Sequence, residues 1–293
     1  MNKFSCFLMI FLTASLGFAE VNIGISGTVD WSTLQVTSRI SLDLASAGLK
    51  LPAGRTQGEI FLTSSYSNLI KSCLLEIQVD SSSVIGDLVN SGETSLSQIE
   101  RLALSAKSVA PALSSDMRNI FTTQEISMSG ISAALLKHNY PSPVARTLNP
   151  VTSASYTGII IIAADELPVH GMKSSALPIP CLFPKIWDSD MNLIYERSML
   201  EIKDITMVNY SSLDNIFQKN PTGLSSSLRK AVGDRPLRIF ARGVFGIKPT
   251  DLIIDKNDAM LIISSEENRR LLSQGKVAVI LDDSVLSYEF AAR

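Results

Sequence analysis

Residues 156–164 read Tyr-Thr-Gly-Ile-Ile-Ile-Ile-Ala-Ala, carry no charge, and stop at Asp165 and Glu166. The run falls far short of the roughly 20 apolar residues that cross a bilayer as a helix. It has strand length, and a strand with one wet face alternates polar and apolar side chains, whereas this one does not. Both of its faces must therefore be covered, which requires further layers of helix or sheet around it. With 293 residues, 45% of them hydrophobic and 18% charged, the chain has the material for such a core.

Other segments supply those layers. Residues 21–44 place Val29, Trp31, Leu34, Val36, Ile40, Leu42 and Leu44 mostly at even steps, predicting one or two strands. Leu62, Tyr66, Leu69, Cys73 and Ile77 then fall three or four apart, which makes one helix face a core face. A second helix is expected from Ser95, where Ser95 and Gln98 have capping-box spacing, with Pro111 kinking or ending it. Leu113, Met117 and Ile120 allow one further helical stretch, and residues 125–136 are ambiguous, alternating as in a strand before a more helical end. Residues 183–187 and 193–195 flank a turn-forming Asp188, Ser189, Asp190, Met191 and Asn192, a hairpin signal. Strands follow at 237–241 and 251–254, then helical residues 257–274 with an interruption, and a buried strand at 276–281. The order is mixed α+β, without regular βαβ units: mixed sheets with packed helices in two domains.

Pro141, Pro143 and Pro150 mark a linker at 141–155, dividing residues 20–140 from residues 156–293. Residues 1–19 read as a cleavable export signal. Lys3 gives the positive start, residues 4–18 are almost uninterruptedly apolar, and Gly17 and Ala19 are the small residues before a cut ahead of Glu20. The expected location is the periplasm or the periphery of the outer membrane, with no transmembrane span in the mature chain. A formal net charge of −2, from 26 basic and 28 acidic residues mixed along the chain, offers no field to gather phosphates and argues against nucleic acid. Removing the signal takes Cys6 with it and leaves Cys73 and Cys181, for which spacing alone does not decide between a disulfide and two thiols.

Common catalytic patterns are missing. Gly130-Ile131-Ser132-Ala133-Ala134 matches only the first half of a hydrolase elbow, and Gly24 and Gly27 do not make a dinucleotide fingerprint. Asp188, Asp190 and Asn192 open like a calcium loop, but Leu193 and Met199 stand where the glycine and the bidentate glutamate belong. A hairpin turn is the simpler reading. His138 and His170 have no metal-ligand spacing. No catalytic, cofactor or metal residue is assigned on these grounds.

The second half resembles the LPP20-like and FlgP-type envelope proteins of bacteria. The residues that carry this are Tyr156-Thr157-Gly158-Ile159, Asp165, Leu177-Pro178, Phe183-Pro184-Lys185-Ile186, Asp188 and Tyr195, then Gly233-Asp234-Arg235-Pro236-Leu237, Ala241, Gly243, Gly246, Asp251, Ile253 and Asp258-Ala259. Ala163-Ala164-Asp165-Glu166 departs from the Asp-Ala-Arg step of that pattern, and the lipid-bearing cysteine of many members is missing. The Gly54-Arg55 junction leading into a helix is faintly similar to FlgT-type flagellar proteins. The resemblance implies a non-catalytic envelope protein with a structural or assembly role at the flagellum or outer membrane, envelope or flagellar partners, a homo-oligomer among the options, and no cofactor. The alternative is a periplasmic enzyme or small-molecule carrier with a site near Asp165, Glu166 and His170.

Overall fold

The structure is a computed structural model that describes residues 21–201 and 206–292. The proposed signal, residues 1–19, lies outside the described residues. Residues 21–44 form two strands, β1 (Ile23–Asp30) and β2 (Gln35–Asp43), paired antiparallel. On β2 the alternation is clear: Val36, Ser38, Ile40 and Leu42 are buried, and Arg39 is exposed. Helix α1 (Gly54–Leu75) lays Leu62, Tyr66, Ile70, Cys73 and Leu74 on that sheet. Ser38 is the polar exception, and its Oγ meets the Tyr66 hydroxyl at 3.0 Å. Burial pushes the Tyr66 phenol up to about 12, so the pair stays neutral.

The helix capped by Ser95 is present but short. After α2 (Ile85–Asn90), α3 (Leu96–Leu104) ends well before Pro111, and the chain extends into β3 (Lys107–Ser108) and β4 (Ala112–Leu113). The helical spacing of Leu113, Met117 and Ile120 is misleading. Met117 takes φ 57° in a turn where the Asp116 carboxylate accepts bonds from the Ser114 hydroxyl and the Arg118 amide. Ile120 instead belongs to β5 (Asn119–Ser127), which pairs with β2, β3 and β4, and α4 (Met128–Leu135) follows it directly.

The apolar run becomes β6 (Ile159–Ile162), with Ile159, Ile160 and Ile161 all buried. A small ladder of β7 (Leu167–Pro168) and β8 (Ser175–Ala176) follows. The predicted hairpin is β9 (Ile186–Asp188) with β10 (Leu193–Tyr195). Next come β11 (Asn209–Ser211), α5 (Ser226–Val232), β12 (Leu237–Phe245), β13 (Asp251–Ile254), α6 (Lys256–Ile263), α7 (Glu266–Ser273) and β14 (Val277–Ile280). The sheet runs β10-β9-β13-β12-β6-β14-β11, so β6 lies inside it with parallel neighbours on both sides. Ile160 points into a cluster with Leu224, Leu228, Val232, Ala278 and Ile280, while Ile159 and Ile161 point into the main core. Both faces are covered, as the sequence requires, in a mixed α+β architecture.

Two features tie the halves on either side of the linker together. Strand β14 does not close the second unit: α8 (Asp283–Leu286) leads into β15 (Ser287–Ala292), which pairs antiparallel with β1. The first sheet is thus β15-β1-β2-β5-β3, with β4 also on β5, and its edge strand comes from the far end of the chain. The linker is pinned as well. Asn268, buried on α7, donates to Ser153 Oγ and the Ala154 carbonyl, each at 3.0 Å, and accepts the Tyr156 amide at 3.2 Å. One apolar cluster runs from Ile25 and Leu62 through Ile161 and Val279, so the two units share a core.

Candidate functional site

A cluster of polar groups, with Thr250 and Asp251 buried, lies at the seam between the units. After α1, the Asp80 carboxylate accepts the amides and hydroxyls of Ser82 and Ser83, all at 2.9–3.0 Å. Burial raises its pKa, but those four bonds outweigh it and hold the carboxyl below the usual range. The turn so shaped presents its backbone to the second unit. Leu182 and Phe183 donate their amides to the carbonyls of Gln78 and Val79 at 3.0 and 2.8 Å, and Lys248 donates to Ser81 O at 2.8 Å.

Ser81 Oγ also donates to Asp251 Oδ2 at 3.3 Å. Asp251 is 1% exposed and accepts the Lys185 amide at 3.1 Å, Trp187 Nε1 at 3.4 Å and Thr250 Oγ1 at 3.3 Å. Burial dominates here and raises its pKa, with the Lys185 and Trp187 bonds pulling the other way. Beside it, the Cys181 amide donates to the Tyr210 oxygen at 3.1 Å and the Tyr210 hydroxyl donates back to the Cys181 carbonyl at 2.8 Å. The Tyr210 ring meets Trp31 of the first unit edge-on, centroids 5.8 Å apart. Burial pushes the Cys181 thiol and the Tyr210 phenol well up, so neither is an anion at neutral pH. This cluster has an acid, a thiol and a phenol, yet each is occupied in fastening backbone or buried away from any thiolate chemistry.

The residues singled out in the sequence lie elsewhere. Asp165, Glu166 and His170 are exposed, and His170 rests edge-on against Phe245 at 5.9 Å. None of the three lines a crevice at the seam. The calcium-like residues form a turn: Asp188 Oδ1 accepts the Asp190 and Asn192 amides at 3.0 and 2.8 Å, and Oδ2 accepts Asn192 Nδ2 at 2.9 Å. Among the described residues no group of three or more His, Cys, Asp or Glu is arranged to hold a metal ion. Cys73 and Cys181 are both free buried thiols. His138 Nε2 lies 2.9 Å from the Leu200 carbonyl, and the residue lines a crevice at the seam with Leu88, Glu93 and Arg197. Sequence reasoning passed over Asp251 as a site residue, although an acid opening the apolar strand Asp-Leu-Ile-Ile is a signal of a buried, partnered carboxylate.

Residues 22–134 match the family described as Treponema pallidum Tp0624, N-terminal domain, and residues 158–283 match the one described as Treponema pallidum Tp0624, second domain. Each half of the chain is thus similar to a domain of Tp0624. That finding overturns the resemblance to LPP20-like, FlgP-type and FlgT-type proteins. The residues behind it have structural uses that many folds share, as Asp188 in its turn shows. The Tp0624 matches leave all but the first residue of α8 and the whole of β15 outside them, although β15 completes the first sheet. A search of the curated proteins finds no match to the chain. Among the described residues no helix is long and apolar enough to cross a membrane.

Proposed function

We propose that the protein is an exported, non-catalytic component of the cell envelope that acts by assembling with itself or with envelope partners. The carrying observation is the seam, where Asp251, Ser81 and the 78–83 turn lock the two units together and the nearby thiol and phenol are buried and protonated. A body held in this way keeps its outer surfaces in fixed relation, which suits repeated contacts in a closed assembly. The N-terminal sequence supports export. No flagellar role is proposed, since only the overturned resemblance suggested one.

Two measurements test this reading together. Sequencing the mature protein from an envelope fraction should give Glu20 as its first residue, and crosslinking followed by purification should recover envelope proteins or further copies of the chain. A cytoplasmic protein that retains Met1, or a monomer without envelope partners that turns over a small substrate, would sink it.

A further inference from the structure

A crevice of about 210 Å³ opens at the seam, away from Asp251. Leu88 and Glu93–Thr94 come from the first unit, Leu135 to His138 from the end of α4 and the residues after it, and Arg197–Ser198 from the second. Leu88 and Leu135 are buried and Leu136 partly so, which makes one side apolar. Two cations and one acid complete the lining. The Arg197 guanidinium stands 3.9 Å from Glu93, beyond the 2.7–2.9 Å of a charge-assisted hydrogen bond, so its donors are not taken up by that acid. Its Cζ lies 5.8 Å from the centroid of the Phe183 ring, which backs the planar group. Lys137, which is exposed, is the second basic residue of the lining. The hydroxyl of Thr94 is turned to Gln98 Oε1 at 3.0 Å and that of Ser198 to Glu196 Oε1 at 2.6 Å, so the lining hydroxyls are already engaged.

We propose that this crevice binds a small carboxylate carrying a short apolar tail, with the carboxylate on Arg197 and Lys137 and the tail against Leu88, Leu135 and Leu136. An arginine fork matches the two oxygens of a carboxylate, and two cations against one acid favour an anion. The volume is below the roughly 300 Å³ at which drug-sized pockets begin, which selects a compact ligand. Because both units line the crevice, the ligand bridges them and stabilises the folded protein by mass action.

The test uses the mature full-length protein with hexanoate as probe, acetate as the tail-less control and hexylamine as the control of opposite charge. Hexanoate should raise the thermal midpoint in a saturable way and show calorimetric binding, with acetate and hexylamine both weaker. Arg197→Gln should weaken hexanoate by about tenfold or more, as expected for losing a charged hydrogen-bond partner. Lys137→Gln, at an exposed position, should weaken it several-fold and keeps the test valid if the Arg197 variant fails to fold. No saturable hexanoate effect, equal binding of hexylamine, or unchanged affinity in Lys137→Gln overturns the proposal.

Discussion

Gly246, the first residue after β12, has φ +109°, and a Cβ added there would sit 2.3 Å from the Cβ of Ser81. Alanine at this position must strain its backbone and push the 78–83 turn from its seat, for a cost of about 1–3 kcal/mol. Urea unfolding of Gly246→Ala should show that loss, and a variant as stable as the parent would mean the turn does not dock as described. Asp251 acts through charge at the same contact. Its folded pKa is raised above the ordinary 3.8, so the folded state holds the proton more tightly and ionisation costs stability as pH climbs through and above that value. Asp80 works in the opposite sense, since its lowered pKa contributes stability that is lost as pH falls through it. Comparing the parent with Asp251→Asn cancels Asp80 and isolates Asp251. Unfolding midpoints from acid to neutral pH should show the parent's advantage over Asp251→Asn shrinking as pH rises; an advantage that grows with pH would contradict the burial assigned to this carboxylate.

Strand β15 shows how an element can be decisive and still escape notice. Its residues, Ser-Tyr-Glu-Phe-Ala-Ala, hold no β-branched side chain and no clean alternation, and its partner β1 lies at the opposite end of the chain. Phe290 stands across from Gly27, and an added Cβ at Gly27 would come within 2.7 Å of that ring and 2.2 Å of the Thr37 carbonyl oxygen, so the aromatic fills the space the glycine leaves. Ending the chain after Leu286 would strip this cover from β1 and leave its backbone as an unpaired edge. The truncated protein should lose several kcal/mol and elute as aggregates on size exclusion, since six residues of ladder and the Phe290 packing vanish together. A monomer with an unchanged midpoint would make β15 a dispensable tail. Elements with a strong local signature were legible: β2 by its alternation, β6 by its unbroken isoleucines, α3 by the Ser95 cap whose Oγ accepts the Gln98 amide. Residues 113–120 misled because apolar spacing is silent about a left-handed residue such as Met117. Nor did any local pattern disclose the seam, because Ser81 and Asp251 meet only after both units have folded.

At the scale of the molecule, the prolines of the linker divide the chain into two domains, as the two family matches do, and the contacts join those domains across a common seam. The linker itself is fastened: Ser153 Oγ donates to the Leu261 carbonyl at 2.8 Å, the Val151 amide donates to Ser264 Oγ at 3.0 Å, and the Ser142 amide to the Ser198 carbonyl at 2.7 Å. Trp31, 2% exposed, is buried partly by Tyr210 of the other unit, and the 78–83 turn finds its backbone partners there too. Separation would open all of these at once, leave Asp251 without Ser81 and withdraw β15 from β1. Each unit alone would then expose apolar surface that the other now covers, and lost burial of this kind carries roughly 25 cal/mol per Å². Unfolding should therefore be cooperative across both units. Calorimetry on residues 20–293 should give a single transition whose van't Hoff and calorimetric enthalpies agree, and residues 156–293 expressed alone should not reproduce the native melting of their part. Two resolved transitions, with the later one matched by that isolated fragment, would show that the seam is a contact between independent domains and that the shared core does not govern stability.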